Sequence, residues 1–113
     1  MSARFMIAVA AFLAAGTLSP AGAQNSRQEA ALVEAGALIA RDSCASCHSI
    51  GAVPDKKAVT AASSFAAIAA MPSTTELAIK VFLQTPHADM PNIMLAQAEI
   101  DALVAYILSL RGK

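Results

Sequence analysis

The run Asp42-Ser43-Cys44-Ala45-Ser46-Cys47-His48-Ser49 decides how the rest of the chain is read. Cys44 and Cys47 are the chain's 2 cysteines, and His48 follows directly. The pattern is C-x-x-C-H, an attachment signature for c-type haem. Two thiols three positions apart can each form a thioether to one vinyl group on a haem edge. The adjacent imidazole can then turn onto the iron from one face. Other readings absorb less of the sequence. A thioredoxin-like pair belongs beside a βαβ pattern, which no segment here shows. A zinc site takes about four ligands, and the other histidine, His87, stands far along the chain with no further cysteine to help it. A plain disulfide leaves His48 and the later methionines without a role. The motif therefore implies one covalent haem c, bound through Cys44 and Cys47 with His48 on the iron, and redox chemistry beyond the reach of side chains alone.

The N-terminus adds a compartment. Arg4 is a short positive region, Phe5 to Ala15 is an unbroken apolar stretch, and Ala21-Gly22-Ala23 has the small-x-small form of a cleavage site. The stretch is short for a membrane span. These features predict a signal peptide over 1–23, cleaved before Gln24, and a mature domain over 24–113 with no stable membrane insertion. Haem is attached to C-x-x-C-H outside the cytoplasm in bacteria, so export and motif agree on a periplasmic location.

Working outward, the mature segment makes one small domain, a size at which a cofactor often supplements a modest core. The 57% hydrophobic content is inflated by the leader and by alanine. Removing Arg4 from the 8 basic residues leaves seven against 8 acidic ones. No basic stripe exists, which argues against nucleic acid as a partner. Lys56, Lys57 and Lys80 are few and scattered, and read as solvated charges rather than a docking ring.

Ser26 to about Arg41 reads as a helix with Leu32, Ala35, Gly36 and Ile39 on one face. Gly36 weakens a helix interior by about 1 kcal/mol, and a glycine at such a site often permits close approach of another helix. Ile50 to Ser64 reads as a loop, and Phe65 to Met71 as a short helix stopped by Pro72. Ser73-Thr74-Thr75-Glu76 fits a capping box with Ser73 as N-cap, opening a helix to about Gln84. Pro86 to Leu95 reads as a loop. Gln97 to about Arg111 is the last helix, with an apolar stripe of Ile100, Leu103, Val104 and Ile107 and Tyr106 beside it. No segment alternates at period two, so the domain is expected to be all-α.

The second face of the iron decides the function. Methionine sulfur is a soft ligand that raises the reduction potential. Met71 and Met94 read as apolar packing. Met90 lies in the loop and precedes Pro91, whose fixed φ stiffens the backbone at the sulfur. His87 is the rival ligand.

Cys44-Ala45-Ser46-Cys47-His48, Asp89-Met90-Pro91-Asn92 in a late loop and Leu103-Val104-Ala105-Tyr106-Ile107 in a C-terminal helix together resemble a small class I bacterial cytochrome c. The resemblance spans the mature chain. It implies the cytochrome c fold, with first and last helices crossing tightly at a glycine eight residues before the first cysteine. Gly36 occupies that position, with Leu103 and Tyr106 as expected partners. The family's sixth ligand is the methionine before proline, which falls on Met90. Two positions depart from the family. Ala40 stands where an aromatic residue is usual, which implies a thinner crossing. The stretch Ala61-Ala62-Ser63-Ser64-Phe65 lacks the proline whose carbonyl holds the ligand imidazole. A carbonyl of that stretch, or less readily Pro54, is the expected substitute.

With His48 and Met90 on the iron, the reading is a periplasmic one-electron carrier, not an enzyme, meeting protein donors and acceptors. A haem subunit of a periplasmic dehydrogenase is the alternative. An open-site ligand-binding or peroxidatic haem protein is the third.

Overall fold

The computed structural model describes residues 21–55, 62–86 and 89–113. The signal-peptide core, Lys56, Lys57 and His87 lie outside the described residues. Four helices appear in order: α1 (Ala21–Ser43), α2 (Phe65–Ala70), α3 (Glu76–Gln84) and α4 (Gln97–Ser109). Among the described residues there is no strand, so the all-α expectation holds. No helix among them is long and apolar enough to cross a membrane.

The fold is organised on α4, against which α1, α2 and α3 all pack, α1 most extensively. Ile100, Leu103, Val104 and Ile107 are all buried, as their helical spacing predicts. The face of α1 differs from the expected one. Leu32 and Ala35 are exposed, Val33 and Ala37 are half-buried, and Gly36, Ala40 and Cys44 are buried. An alanine-rich helix offers two nearly equivalent apolar faces, and backbone approach chooses between them. At Gly36 a Cβ would stand 2.0 Å from the Ala102 carbonyl oxygen and 2.7 Å from the Tyr106 Cβ. Only glycine permits that crossing. The nearest atoms there belong to Ala102 and Tyr106, the latter an expected partner; Leu103, the other expected partner, is buried in the core. Ala40, fully buried, fits the same close crossing without an aromatic ring.

Local caps set where the shorter helices start. The Ser64 hydroxyl accepts from Ala67 N–H at 3.1 Å and opens α2. The N-cap of α3 is Thr75, accepting from Ala78 N–H at 3.1 Å, not Ser73 as the capping-box pattern suggested. The intervening turn explains the shift. Thr74 N–H donates to the Met71 carbonyl, and the Thr74 carbonyl accepts from Arg111 Nη2 at 2.6 Å. Arg111 Nε also donates to the Ala69 carbonyl at 2.8 Å, so one guanidinium ties the end of α4 to both sides of the α2–α3 turn. Glu76, freed from capping, joins Lys80 at 2.6 Å, and Lys80 also reaches Asp101 on α4 at 2.9 Å.

Candidate haem site

The C-x-x-C-H run continues α1 by one irregular turn. Cys44 N–H and Ala45 N–H both donate to the Ala40 carbonyl, at 2.9 and 3.0 Å. Cys47 N–H and His48 N–H then both donate to the Cys44 carbonyl, at 3.1 and 2.9 Å. Winding the chain this way makes Cys44 and Cys47 i, i+3 neighbours on one side of the turn. The two form no disulfide; Cys44 is buried and Cys47 half-buried. Burial pushes the Cys44 thiol above its ordinary range. A thiol–disulfide catalyst needs the opposite, a thiolate stabilised near neutral pH. Cys44 is therefore not placed as an activated nucleophile.

His48 is oriented from outside the motif. Its Nδ1 lies 2.7 Å from the Ser63 carbonyl oxygen. A carbonyl only accepts, so Nδ1 carries a proton and donates it, and in the neutral ring the lone pair then falls on Nε2. This is the tautomer that ligates metal through Nε2. The substitute for the missing proline carbonyl thus comes from Ser63, within the expected stretch, and not from Pro54. The ring also packs on Phe65, with centroids 5.3 Å apart at 48°. Phe65 in turn meets the Tyr106 ring edge-on at 6.5 Å, and the Tyr106 hydroxyl donates to the Ile50 carbonyl at 2.9 Å.

A small pocket, partly open to solvent, lies beside the motif. Cys44 lines it from α1, and Met90, Pro91, Asn92 and Ile93 line it from the late loop. Leu83, Leu95 and Leu103 supply apolar wall. Leu103 faces this space from α4. Met90 is half-buried and is bracketed by Asp89, in the left-handed region at φ 66°, and by Pro91. The other two methionines are not core packing as expected: Met71 is 47% exposed and Met94 87%. The structure therefore gathers Cys44 and Met90 at one cavity and places Cys47 and His48 on the turn beside it.

The donor set and its surroundings fit a haem. Two thiols stand three positions apart on one turn, an imidazole beside them has its Nδ1 bonded to a carbonyl, and a soft thioether shares the largely apolar pocket with Cys44, which no charged side chain lines among the described residues. Sequence reasoning missed Asp89, Ser49 and Ser64. The N-cap pattern of Ser64 before Phe65 was a usable signal. Nothing in the sequence announced the left-handed turn at Asp89.

Comparison with known proteins gives the family. The family model described as Cytochrome c matches residues 33–111, from the middle of α1 to the residue that clamps the α2–α3 turn. No curated protein and no solved structure gives a significant match. The matched span takes in the cysteine–histidine turn, the Met90 loop and both crossing helices, and the chain accordingly belongs to the cytochrome c family, electron-transfer proteins that carry covalent haem c and work with redox partners.

Proposed function

We propose that this protein is a periplasmic one-electron carrier in which Cys44 and Cys47 anchor the haem by thioethers and His48 and Met90 are its axial ligands. The observation that carries the reading is the cavity shared by Cys44 and Met90, next to an imidazole whose Nδ1 is already committed to Ser63. Haem c bound there supplies one-electron exchange at iron. Cys44 and Cys47 fix its position along the α1 turn. His48 would hold the iron through Nε2 and Met90 through its sulfur, which would leave no iron position for a substrate. Leu83, Leu95 and Leu103 supply apolar wall beside Met90. Nothing here needs a proton acceptor or a nucleophile, which is why the reading is a carrier and not an enzyme. The signal peptide over 1–23 delivers the chain to the compartment where haem is attached, and mass measurement of the mature protein should find Gln24 at its N-terminus.

The spectrum of the purified oxidised protein tests the ligands. A weak long-wavelength sulfur-to-iron band should be present, and should vanish in Met90→Ala. If Met90→Ala leaves the visible spectrum unchanged, the ligand assignment is wrong. Binding of carbon monoxide by the reduced wild type at neutral pH would instead favour the open-site reading.

The dehydrogenase-subunit reading keeps one specific support. On α3, Leu77 is 70%, Val81 54% and Phe82 52% exposed, an apolar face of the kind that partners cover. Co-purification with a dehydrogenase under mild extraction would move the balance to that reading.

A further inference from the structure

The cap of the shortest helix touches no candidate ligand, yet it stands one residue from the carbonyl that orients His48. Two hydrogen bonds join the segment after the haem motif to the start of α2. His48 Nδ1–H donates to the Ser63 carbonyl at 2.7 Å, and Phe65 N–H donates back to the Ser49 carbonyl at 2.9 Å. The two segments are thus tied reciprocally, residue pair to residue pair. Ser49 is itself fixed, being 5% exposed with its hydroxyl accepting from Asp55 N–H at 2.5 Å. The Ser63 end has a different anchor. Ser64 adopts extended backbone, with φ −67° and ψ 151°, and its hydroxyl accepts from Ala67 N–H at 3.1 Å. Helix α2 spans 6 residues, Phe65–Ala70, too few to hold its first turn by propagation alone.

We infer that Ser64 is a positioning residue for His48: by capping α2 it holds the Ser63 carbonyl at the distance at which it fixes the imidazole. This inference rests on His48 being an iron ligand. A rigid proline carbonyl needs no such help, whereas a serine carbonyl at the mouth of a six-residue helix does. The consequence reaches the cofactor through ligand basicity. A strong bond from Nδ1–H to a carbonyl makes the imidazole a better donor and favours the oxidised iron. Fraying the cap lengthens that bond and raises the reduction potential.

The test compares the haem-loaded wild type with Ser64→Ala and Ser64→Thr. Nuclear magnetic resonance of the ferric proteins, with histidine ring nitrogens labelled, reads the site directly. In Ser64→Ala the Nδ1 proton of His48 should exchange roughly fivefold faster, the factor matching a lost N-cap of about 1 kcal/mol. The reduction potential should rise with it. Ser64→Thr keeps a cap hydroxyl and should restore both readings. Exchange and potential unchanged in Ser64→Ala, with His48 resonances still shifted by the iron, overturn this inference alone and leave the cap merely structural. His48 resonances not shifted by the iron in the wild type overturn the ligand assignment as well.

Discussion

The two faces of the candidate haem site are built by different means. The His48 face is assembled from secondary structure. The imidazole leaves the end of α1, bonds a carbonyl at the start of α2, and packs on Phe65, which packs on Tyr106 of α4. The Met90 face is a loop. Its shape comes from a left-handed Asp89, the fixed φ of Pro91 and apolar neighbours such as Leu83 and Leu95. One face is held by hydrogen bonds and rings from three helices, the other by constraints within a few residues. The Met90 face is not built on a helix, so it is the one expected to yield first.

The sharpest break of this contrast is ligand removal. His48→Ala should abolish accumulation of haem-loaded protein, because it removes part of the attachment motif. Met90→Ala should retain the covalent haem and gain carbon monoxide binding in the reduced state. Haem stain on denaturing gels and visible spectra read the two outcomes. Equal haem loading in both variants would show that the faces do not differ in kind. Next in size is Gly36→Ala, which strikes the crossing that supports both faces. The added Cβ meets backbone at 2.0 Å, so the α1–α4 contact must open. Overpacking of this kind costs roughly 1–3 kcal/mol or more, against at most about 1 kcal/mol regained in helix propensity. The denaturation midpoint should fall accordingly, and a midpoint at or above wild type would show that the crossing tolerates a side chain.

How much of this was legible in the sequence follows the same division. The His48 face was readable because its elements repeat local rules: C-x-x-C-H on a helix end, an apolar stripe at helical spacing, a glycine where helices touch. Even there, Gly36 was placed on the buried face of α1 but Leu32 and Ala35 were not well placed, since Leu32 and Val33 are similarly apolar and local pattern does not choose between them. The cap of α3 was misplaced for a similar reason. Ser73 and Thr75 are both good caps, and the choice is made by Arg111, 37 positions from Thr74. On the loop face, Pro91 was visible and Asp89 was not, because aspartate enters the left-handed region without being required there.

Asp89 offers a finer break, confined to the Met90 side. Asp89→Gly should be nearly neutral, since glycine takes positive φ freely. Asp89→Val should cost about 1–2 kcal/mol, because a β-branched residue resists that conformation. The effect should appear as earlier loss of the sulfur-to-iron band on mild heating, with less change in global unfolding. Parallel loss of both would mean that the loop opens only when the whole domain does.

The smallest effect expected is electrostatic and tests how far the loop face leans on α3. Lys80 links Glu76 within α3 to Asp101 on α4, and Leu83 carries α3 into the cavity wall. The hydrogen bond to Glu76, then that to Asp101, raises the Lys80 ammonium above its ordinary range. The bond from Lys80, then that from Gln97, lowers the Asp101 carboxyl below its own. A lowered carboxyl contributes stability that is complete above its unfolded pKa and lost as pH falls through the folded value. A raised ammonium contributes stability that is complete below its unfolded pKa and lost as pH rises through the folded one. The link should therefore be flat across neutral pH, fade below about pH 4 and fade again above about pH 10. Asp101→Asn should lower Tm slightly at neutral pH, and the gap to wild type should close in acid and in high salt, as exposed pairs are screened. If the variant shifts the sulfur-to-iron band more than it shifts Tm, the ion pair acts on the Met90 side specifically. α3 is then part of the device that closes the iron, and the two faces differ less than their local structures suggest.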